Sequence, residues 1–357
     1  MNILHIIESS ATGTLAMMRL LVSIQVRSGH NVSVIYSRRK ETPADFEFLF
    51  PDSVRLHNVQ METLSERLIC LAKIRRIFKE EMSSVVFMHS SFAGFLGRFS
   101  LLFCDARCYY IPHCISFMRR DVSLFKRLMF VFFEWIAALR PSTYVACSES
   151  EAREIRRWIP FGRCELVENA VDTDLWKNEQ SWGAKNSCVI VNVGQIRAQK
   201  APLLFAEIAK KVLGNRSDIK FIWVGDGDTE LRRHLCEAGV DVCGWLTPAE
   251  VNDVLISAQV FLSTSSWEGM PVAPIEAMLA GCISVLSACP GNVDIVQDGE
   301  TGYLFSDASQ AAKIILNIFS DESLEESARI SDRGRSYCEE HYNFSRYALD
   351  MECLIGE

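Results

Sequence analysis

The sequence predicts an α/β protein of two domains, each a parallel sheet flanked by helices, and three observations lead there. At 357 residues the chain exceeds the length over which one hydrophobic core keeps growing, so two cores are expected. An apolar strand followed by a glycine-bearing turn opens the chain at Asn2, and the pattern restarts at Cys188 after a polar stretch without periodicity, Lys177 to Asn186. The composition, 49% hydrophobic and 23% charged with no low-complexity tail, is that of a globular protein.

Asn2 to Ile7 reads as the first strand, Glu8 to Thr14 as a loop, Leu15 to Ser28 as an amphipathic helix stopped by Gly29, and Asn31 to Tyr36 as the second strand. This is the opening βαβ unit of a parallel sheet, with a right-handed crossover. Gly13 lies in the loop at the carboxyl edge, where ligands bind. It either lets a phosphate or acceptor approach the backbone or serves as a turn glycine, and the sequence leaves both open. The loop does not spell GxGxxG, which counts against a dinucleotide dehydrogenase.

Leu64 to Met82 reads as a basic helix, with Arg67, Lys73, Arg75, Arg76 and Lys79 among leucines and isoleucines. Strands follow at Val85 to Met88 and Cys108 to Ile111. His113 sits just past the second of these, a position from which a side chain reaches a ligand; on residues alone it reads as a loop histidine holding its own backbone. Asp121 to Leu139 is a helix crowded with large apolar residues, including Phe125, Phe132, Phe133 and Trp135, and part of it must be core. Strands at Thr143 to Cys147 and Cys164 to Val167 complete the first sheet, with Ser148 as N-cap and Glu151 as its capping-box partner between them.

The second domain opens with the strand Cys188 to Val193, running into Gly194, Arg197 and Lys200. Two cations past a strand end suit a diphosphate, since lysine is a point charge and arginine forks across two oxygens. Ile219 to Val224 is the next strand, ending in Gly225-Asp226-Gly227-Asp228 ahead of a helix, Thr229 to Ala238; Pro248 to Ser257 is another helix. The strand Val260 to Leu262 then leads into Ser263 to Gly281, a strand–loop–helix unit closed by Gly281. Pro274 fits only a first helical turn, so the helix starts near Ala273 and leaves N–H groups around Val272, Ala273 and Ile275 unpaired. These donors and the helix dipole suit a diphosphate, while Glu268 before the helix and Glu276 in its first turn accept hydrogen bonds from hydroxyls. The ligand so described is a nucleotide-linked sugar.

The run Glu268-Gly269-Met270-Pro271, then four residues, then Glu276-Ala277-Met278-Leu279-Ala280-Gly281 resembles the signature of retaining glycosyltransferases of the GT-B fold, family 4 (glycosyl transferases group 1), of the bacterial surface-polysaccharide type. Further matches are Pro112-His113, Lys200, the turn at Gly225, Pro290-Gly291-Asn292 and Asp298 to Gly302. Two departures stand out: Ala170 replaces a glycine, and Gln195 stands where the family has arginine, so either Arg197 supplies that charge or one phosphate contact is missing.

The resemblance implies two Rossmann-like domains facing a cleft: residues 1–177 for the acceptor, 178–335 for the nucleotide sugar, and a helix at 336–357 crossing back. It implies that Glu268 and His113 lie beside the donor sugar and act in catalysis. Donor binding would fall to Gly13, Gly194, Arg197, Lys200, Gly225, Gly269, Met270, Val272 and Ala273, with Glu276 on the ribose. It also implies transfer with retention from a nucleotide-diphosphate sugar, UDP favoured, with neither metal nor cofactor. The rivals are an isomerase or phosphorylase on the same fold and a non-catalytic partner subunit of a glycosyltransferase.

Net charge is −8, unevenly spread: residues 1–180 hold 23 Lys/Arg against 20 Asp/Glu, and residues 181–357 hold 14 against 25. The basic half has aromatic residues but no nucleic-acid motif, which points to an anionic membrane surface rather than DNA or RNA. Leu128 to Leu139 is too short to cross a bilayer core of ~30 Å and contains Glu134. With no basic leader before Asn2, the expected location is the cytoplasm, peripheral on the inner membrane face, with a lipid-linked saccharide of O-antigen or capsule synthesis as acceptor by family analogy. The thirteen cysteines contain no CxxC pair and read as small apolar residues, with no disulfide or metal assigned.

Overall fold

The computed structural model describes residues 1–8, 12–39, 42, 45–176, 182–185 and 188–356. They form two compact units, Met1–Asn169 with Tyr347–Glu357, and Ala170–Arg346. The sequence placed the divisions at 177 and 336. The chain instead changes unit at Ala170, because Val171 donates its N–H to Tyr342 O (2.9 Å) and bridges Asn343, tying that stretch into the second unit. The expected linker, 177–186, lies largely outside the described residues.

In the first unit the elements are β1 (Asn2–Ile7), α1 (Thr12–Arg27), β2 (Asn31–Tyr36), β3 (Arg55–Asn58), α2 (Leu64–Glu80), β4 (Val85–His89), α3 (Ser91–Ser100), β5 (Arg107–Ile111), α4 (Leu124–Ala137), β6 (Thr143–Ala146), α5 (Glu149–Trp158) and β7 (Arg163–Leu166). The sheet is parallel throughout, in the order β3-β2-β1-β4-β5-β6-β7. Strands covered on both faces read as continuous apolar runs, and β4 is buried along its whole length. Strand order reverses between β1 and β4, so the carboxyl ends of these two strands mark a switch point, where open α/β sheets bind ligands.

The second unit repeats the plan with β8 (Val189–Val193), α6 (Pro202–Leu213), β9 (Lys220–Val224), α7 (Thr229–Glu237), β10 (Val240–Gly244), α8 (Pro248–Ser257), β11 (Val260–Ser263), α9 (Val272–Leu279), β12 (Ile283–Ser287), β13 (Tyr303–Phe305), α10 (Ala308–Ile318) and α11 (Leu324–His341). Its parallel sheet runs β10-β9-β8-β11-β12-β13, and its switch point lies between β8 and β11. Both units are therefore Rossmann-like. The last helix, α12 (Phe344–Gly356), begins in the second unit and from Tyr347 belongs to the first, where Tyr109 and Arg107 of β5 donate to the Leu354 and Ile355 carbonyls (2.9 and 2.7 Å).

Three local expectations change. The helix α1 starts at Thr12, so Gly13 stands in its first turn rather than in a loop, while residues 9–11 are outside the described set. The helix expected from Asp121 starts at Leu124, because Ser123 caps it by accepting from the Lys126 N–H. Ser148 does cap α5, but Glu151 makes no capping box. Its carboxylate accepts instead from the N–H groups of Cys147 (2.9 Å), Cys114 and Ile115 (2.8 Å each).

Candidate functional site

At the switch point of the second unit, the loop after β8 meets the loop after β11. Lys200 Nζ lies 2.8 Å from Glu268 Oε1. Ser265 Oγ donates to the same oxygen (2.7 Å), and Gln199 Nε2 donates to the other (3.1 Å) and to Trp267 O (2.9 Å). A backbone bond locks the two loops together, Ser266 N–H to Gln199 O (2.8 Å), and another ties the second loop to the one after β12, Glu268 N–H to Pro290 O (3.0 Å). Thr264 Oγ1 also donates to Lys200 O (2.7 Å). Glu268 is 7% exposed, so its carboxylate is held by donors on both oxygens in a nearly buried setting.

Two glycines make this closeness possible. A methyl group on Gly225 would come 2.2 Å from Gly194 O, and φ there is +129°; the tight turn after β9 thus abuts the loop after β8. A methyl on Gly291 (φ +86°) would come 2.6 Å from Gly269 O and 2.7 Å from Glu268 Cβ. Trp223 Nε1 donates to Gly194 O (2.8 Å), fixing the carbonyl at the start of the cation loop.

The helix α9 begins at Val272 with Pro271 as N-cap, and no side chain caps it. The start thus presents backbone N–H groups at Val272 and Ala273, with Pro274 in the first turn as expected. Glu276 stands one turn further in than the first turn the sequence assigned it, because the helix starts at Val272. It is partly buried, and among the described residues no group donates to it. Burial without a compensating donor pushes its carboxyl up to about 7.

Of the donor-binding residues named from the sequence, Gly194, Lys200, Gly225 and Gly269 gather with Glu268 around this knot. Met270 is buried, and Val272 and Ala273 are partly buried at the start of α9. Arg197 is not brought in: its side chain is exposed and has no polar partner among the described residues. Gly13 is in the first unit and exposed; no atom lies within 4 Å of a methyl placed there, so packing does not demand glycine at that position. Gln199 and Ser265 carry the geometry of Glu268 and were not singled out from the sequence, while Gly291, matched there only as part of a trailing turn, packs against Glu268.

In the first unit, His113 sits past β5 with a left-handed backbone (φ +54°). Its Nε2 lies 3.1 Å from His89 Nδ1, at the carboxyl end of β4. Burial lowers the His113 imidazole to about 4, so it is neutral at ordinary pH. Among the described residues no group of three His, Cys, Asp or Glu is arranged to hold a metal ion, and no helix is long and apolar enough to cross a membrane.

Residues 187–321 match the family described as glycosyl transferases group 1, and residues 13–175 match glycosyltransferase family 4. The chain is 28% identical over 264 residues to the UDP-Gal:alpha-D-GlcNAc-diphosphoundecaprenol alpha-1,3-galactosyltransferase of Escherichia coli, covering 66% of this chain and 65% of that protein. It is 26% identical over 330 residues to an uncharacterized 41.2 kDa protein in the cps region of Klebsiella pneumoniae, covering 88% and 89%. In fold it is similar to Anabaena HepE, solved in complex with UDP, with a TM-score of 0.82 over 100% of both chains at 16% identity.

Proposed function

The chain belongs to the glycosyltransferases of group 1 and family 4 and has their two-domain GT-B fold, and from that premise we propose that it transfers a sugar from a UDP-sugar to a saccharide acceptor with retention of anomeric configuration. The observation that carries this reading is Glu276: a partly buried carboxylate, just inside an uncapped helix, with no donor from the described protein. Ribose hydroxyls would supply the missing donors, and the helix N–H groups would meet the diphosphate.

In the reaction, the bond from the anomeric carbon to the diphosphate oxygen breaks as the acceptor hydroxyl attacks the same face. The departing phosphate oxygen takes the acceptor's proton. Charge on the leaving diphosphate is met by Lys200 and the start of α9, so this reading needs no metal ion or cofactor. Glu268, fixed by Ser265, Gln199 and Lys200, orients the sugar hydroxyls, and His113 is given a donor-sugar contact by family analogy. Isomerase or phosphorylase chemistry, or a non-catalytic subunit, has no comparable feature in its favour.

The acceptor is proposed to be lipid-linked, in bacterial O-antigen or capsule synthesis, with the protein peripheral on the cytoplasmic face of the membrane. Two features support this. The Escherichia coli relative is named for a diphosphoundecaprenol-linked acceptor. And α4 buries only Val131, Glu134 and Ala137 while exposing Phe125 (71%), Phe132 (56%) and Trp135 (47%), an apolar face larger than a soluble helix needs.

The test is a panel of UDP-sugars offered with diphosphoundecaprenol-linked N-acetylglucosamine, following UDP release and the anomer formed. Release of UDP with an α-linked product from an α-linked donor supports the reading. Turnover of a sugar phosphate without UDP release would favour a phosphorylase, an inverted product would sink retention, and inactivity across the panel would favour the partner subunit.

A further inference from the structure

Four side chains of the first unit form one hydrogen-bonded row. Gln25 Oε1 on α1 lies 2.7 Å from His5 Nε2 on β1; His5 Nδ1 lies 3.0 Å from His89 Nε2 on β4; His89 Nδ1 lies 3.1 Å from His113 Nε2 past β5. The sheet's parallel register builds the row: Ile7, two residues after His5, pairs with His89, and His89 pairs with Ile111, two residues before His113. The rings are stacked, with centroids 5.2 and 5.4 Å apart. Gln25, His5 and His89 are at most 2% exposed, whereas His113 is only partly buried.

A bond between two imidazoles needs one protonated and one bare nitrogen, so each link fixes the next. With the Gln25 amide as it stands, its carbonyl oxygen can only accept. His5 therefore carries its proton on Nε2 and bares Nδ1, His89 does the same, and His113 donates from Nε2. The ring nitrogen left over is His113 Nδ1, with no partner among the described residues. The backbone is held from the other side, since Glu151 accepts from the N–H groups of Cys114 and Ile115, the residues that follow the left-handed turn. Burial keeps His5 and His113 neutral, each lowered to about 4, and holds His89 well below its ordinary value too, with its two neighbouring rings adding to the effect.

We propose that Gln25, His5 and His89 are positioning residues that hold His113 as its Nε2-protonated tautomer, presenting Nδ1 as a fixed hydrogen-bond acceptor for a sugar hydroxyl. The sugar contact rests on the role given to His113 above; the tautomer does not. A ring free to exchange tautomers and rotate would spend part of its time turning N–H, rather than a lone pair, to that hydroxyl.

Nitrogen-15 NMR of the full chain with labelled histidines tests both parts. In the intact protein, His113 is expected to show a protonated Nε2 and a bare Nδ1, with scalar coupling across the bond from His113 Nε2 to His89 Nδ1. In His89→Phe, which keeps a stacked ring but removes both bonds, the two His113 nitrogens should move toward each other as exchange sets in. Gln25→Met is the second variant if His89→Phe does not fold. A proton on His113 Nδ1 in the intact protein, or spectra of His113 unchanged in a folded variant, would overturn the relay. If the relay stands but His113→Ala turns over the UDP-sugar that the intact protein uses in the panel above as fast as the intact protein does, the sugar contact is overturned and the tautomer assignment is not.

Discussion

Lys200 and Glu268 form an ion pair of 2.8 Å between loops that leave adjacent strands β8 and β11. The pair pins the switch point of the second sheet before any ligand arrives, so the lysine is oriented without a separate ordering cost. An incoming diphosphate would share this lysine with the glutamate, which keeps its other donors from Ser265 and Gln199.

Lys200→Ala is accordingly expected to weaken UDP binding by ~1.5–3 kcal/mol, roughly 10- to 150-fold, because it removes a charge-assisted contact. Glu268→Gln should leave UDP affinity nearly unchanged and cut turnover, since an amide cannot accept on both sides. Calorimetry with UDP and a steady-state assay separate the two. Unchanged UDP affinity in Lys200→Ala would remove that lysine from the site.

Glu276 gives a pH signature. Its folded value of about 7 lies above the ordinary 4.5, so UDP affinity should fall as pH drops through 7 and the carboxylate gains a proton. The terminal phosphate of UDP also titrates near ~6, so the diagnostic quantity is the difference from Glu276→Gln, which should bind more weakly at pH 8 and converge with the intact protein at pH 5. The stability sign is opposite. A raised carboxyl value means the charged form costs stability above 7, and the cost fades as pH falls toward 4.5. Without ligand, Glu276→Gln should thus gain ~1–3 kcal/mol relative to the intact protein between pH 5 and 8 by urea titration, at the low end because the group is only partly buried.

Much of the second unit's candidate site was legible because its residues sit where strands end. Lys200 and Glu268 follow β8 and β11, and a sheet whose order reverses there must bring their loops together. The first unit hid more. The helix α3 carries Gly94 and Gly97, poor helix formers, yet packing requires them: a methyl on Gly94 would come 2.3 Å from the Tyr110 ring, and on Gly97 2.6 Å from Met88 Sδ. His5 sits inside the apolar run of β1 and looked like part of a core strand. The available signal was its type: a titratable ring inside the apolar run from Ile3 to Ile7. Its partners are distant in sequence: the strand register brings His89 beside it, and the helix α1 brings Gln25.

Beneath the exposed face of α4 lies a buried charge pair. Arg98 is fully buried and donates to Glu134 (2.7 Å), while its other donors reach Tyr144 Oη (2.8 Å) and Gly94 O (2.8 Å). Glu134→Leu should destabilise by ~3–5 kcal/mol in urea titration, because it strands a buried guanidinium. Arg98→Met together with Glu134→Leu should recover most of that loss. If the double variant is no more stable than the single one, the cost lies in packing and not in the unpaired charge.

That anchor leaves the outward side of α4 exposed, and the proposed membrane contact would rest on particular charges. Arg119 is forked onto Asp121 (2.9 and 2.6 Å), and Arg127 is tied by Nε to Phe117 O (2.9 Å). Arg120 and Lys126 are exposed and have no carboxylate partner among the described residues. Since each basic group near an anionic surface contributes about 1 kcal/mol and the field decays over ~10 Å at 0.1 M salt, binding to phosphatidylglycerol vesicles should be reversible and weaken as salt is raised. Arg120→Glu and Lys126→Glu should each reduce vesicle binding more than Arg119→Glu, whose charge Asp121 already offsets. Phe125→Ser with Phe132→Ser should reduce it at every salt concentration, because apolar insertion is not screened. Protein that stays in the supernatant at low salt, or binding indifferent to all of these changes, would remove the membrane from the proposal and make a soluble saccharide the better acceptor.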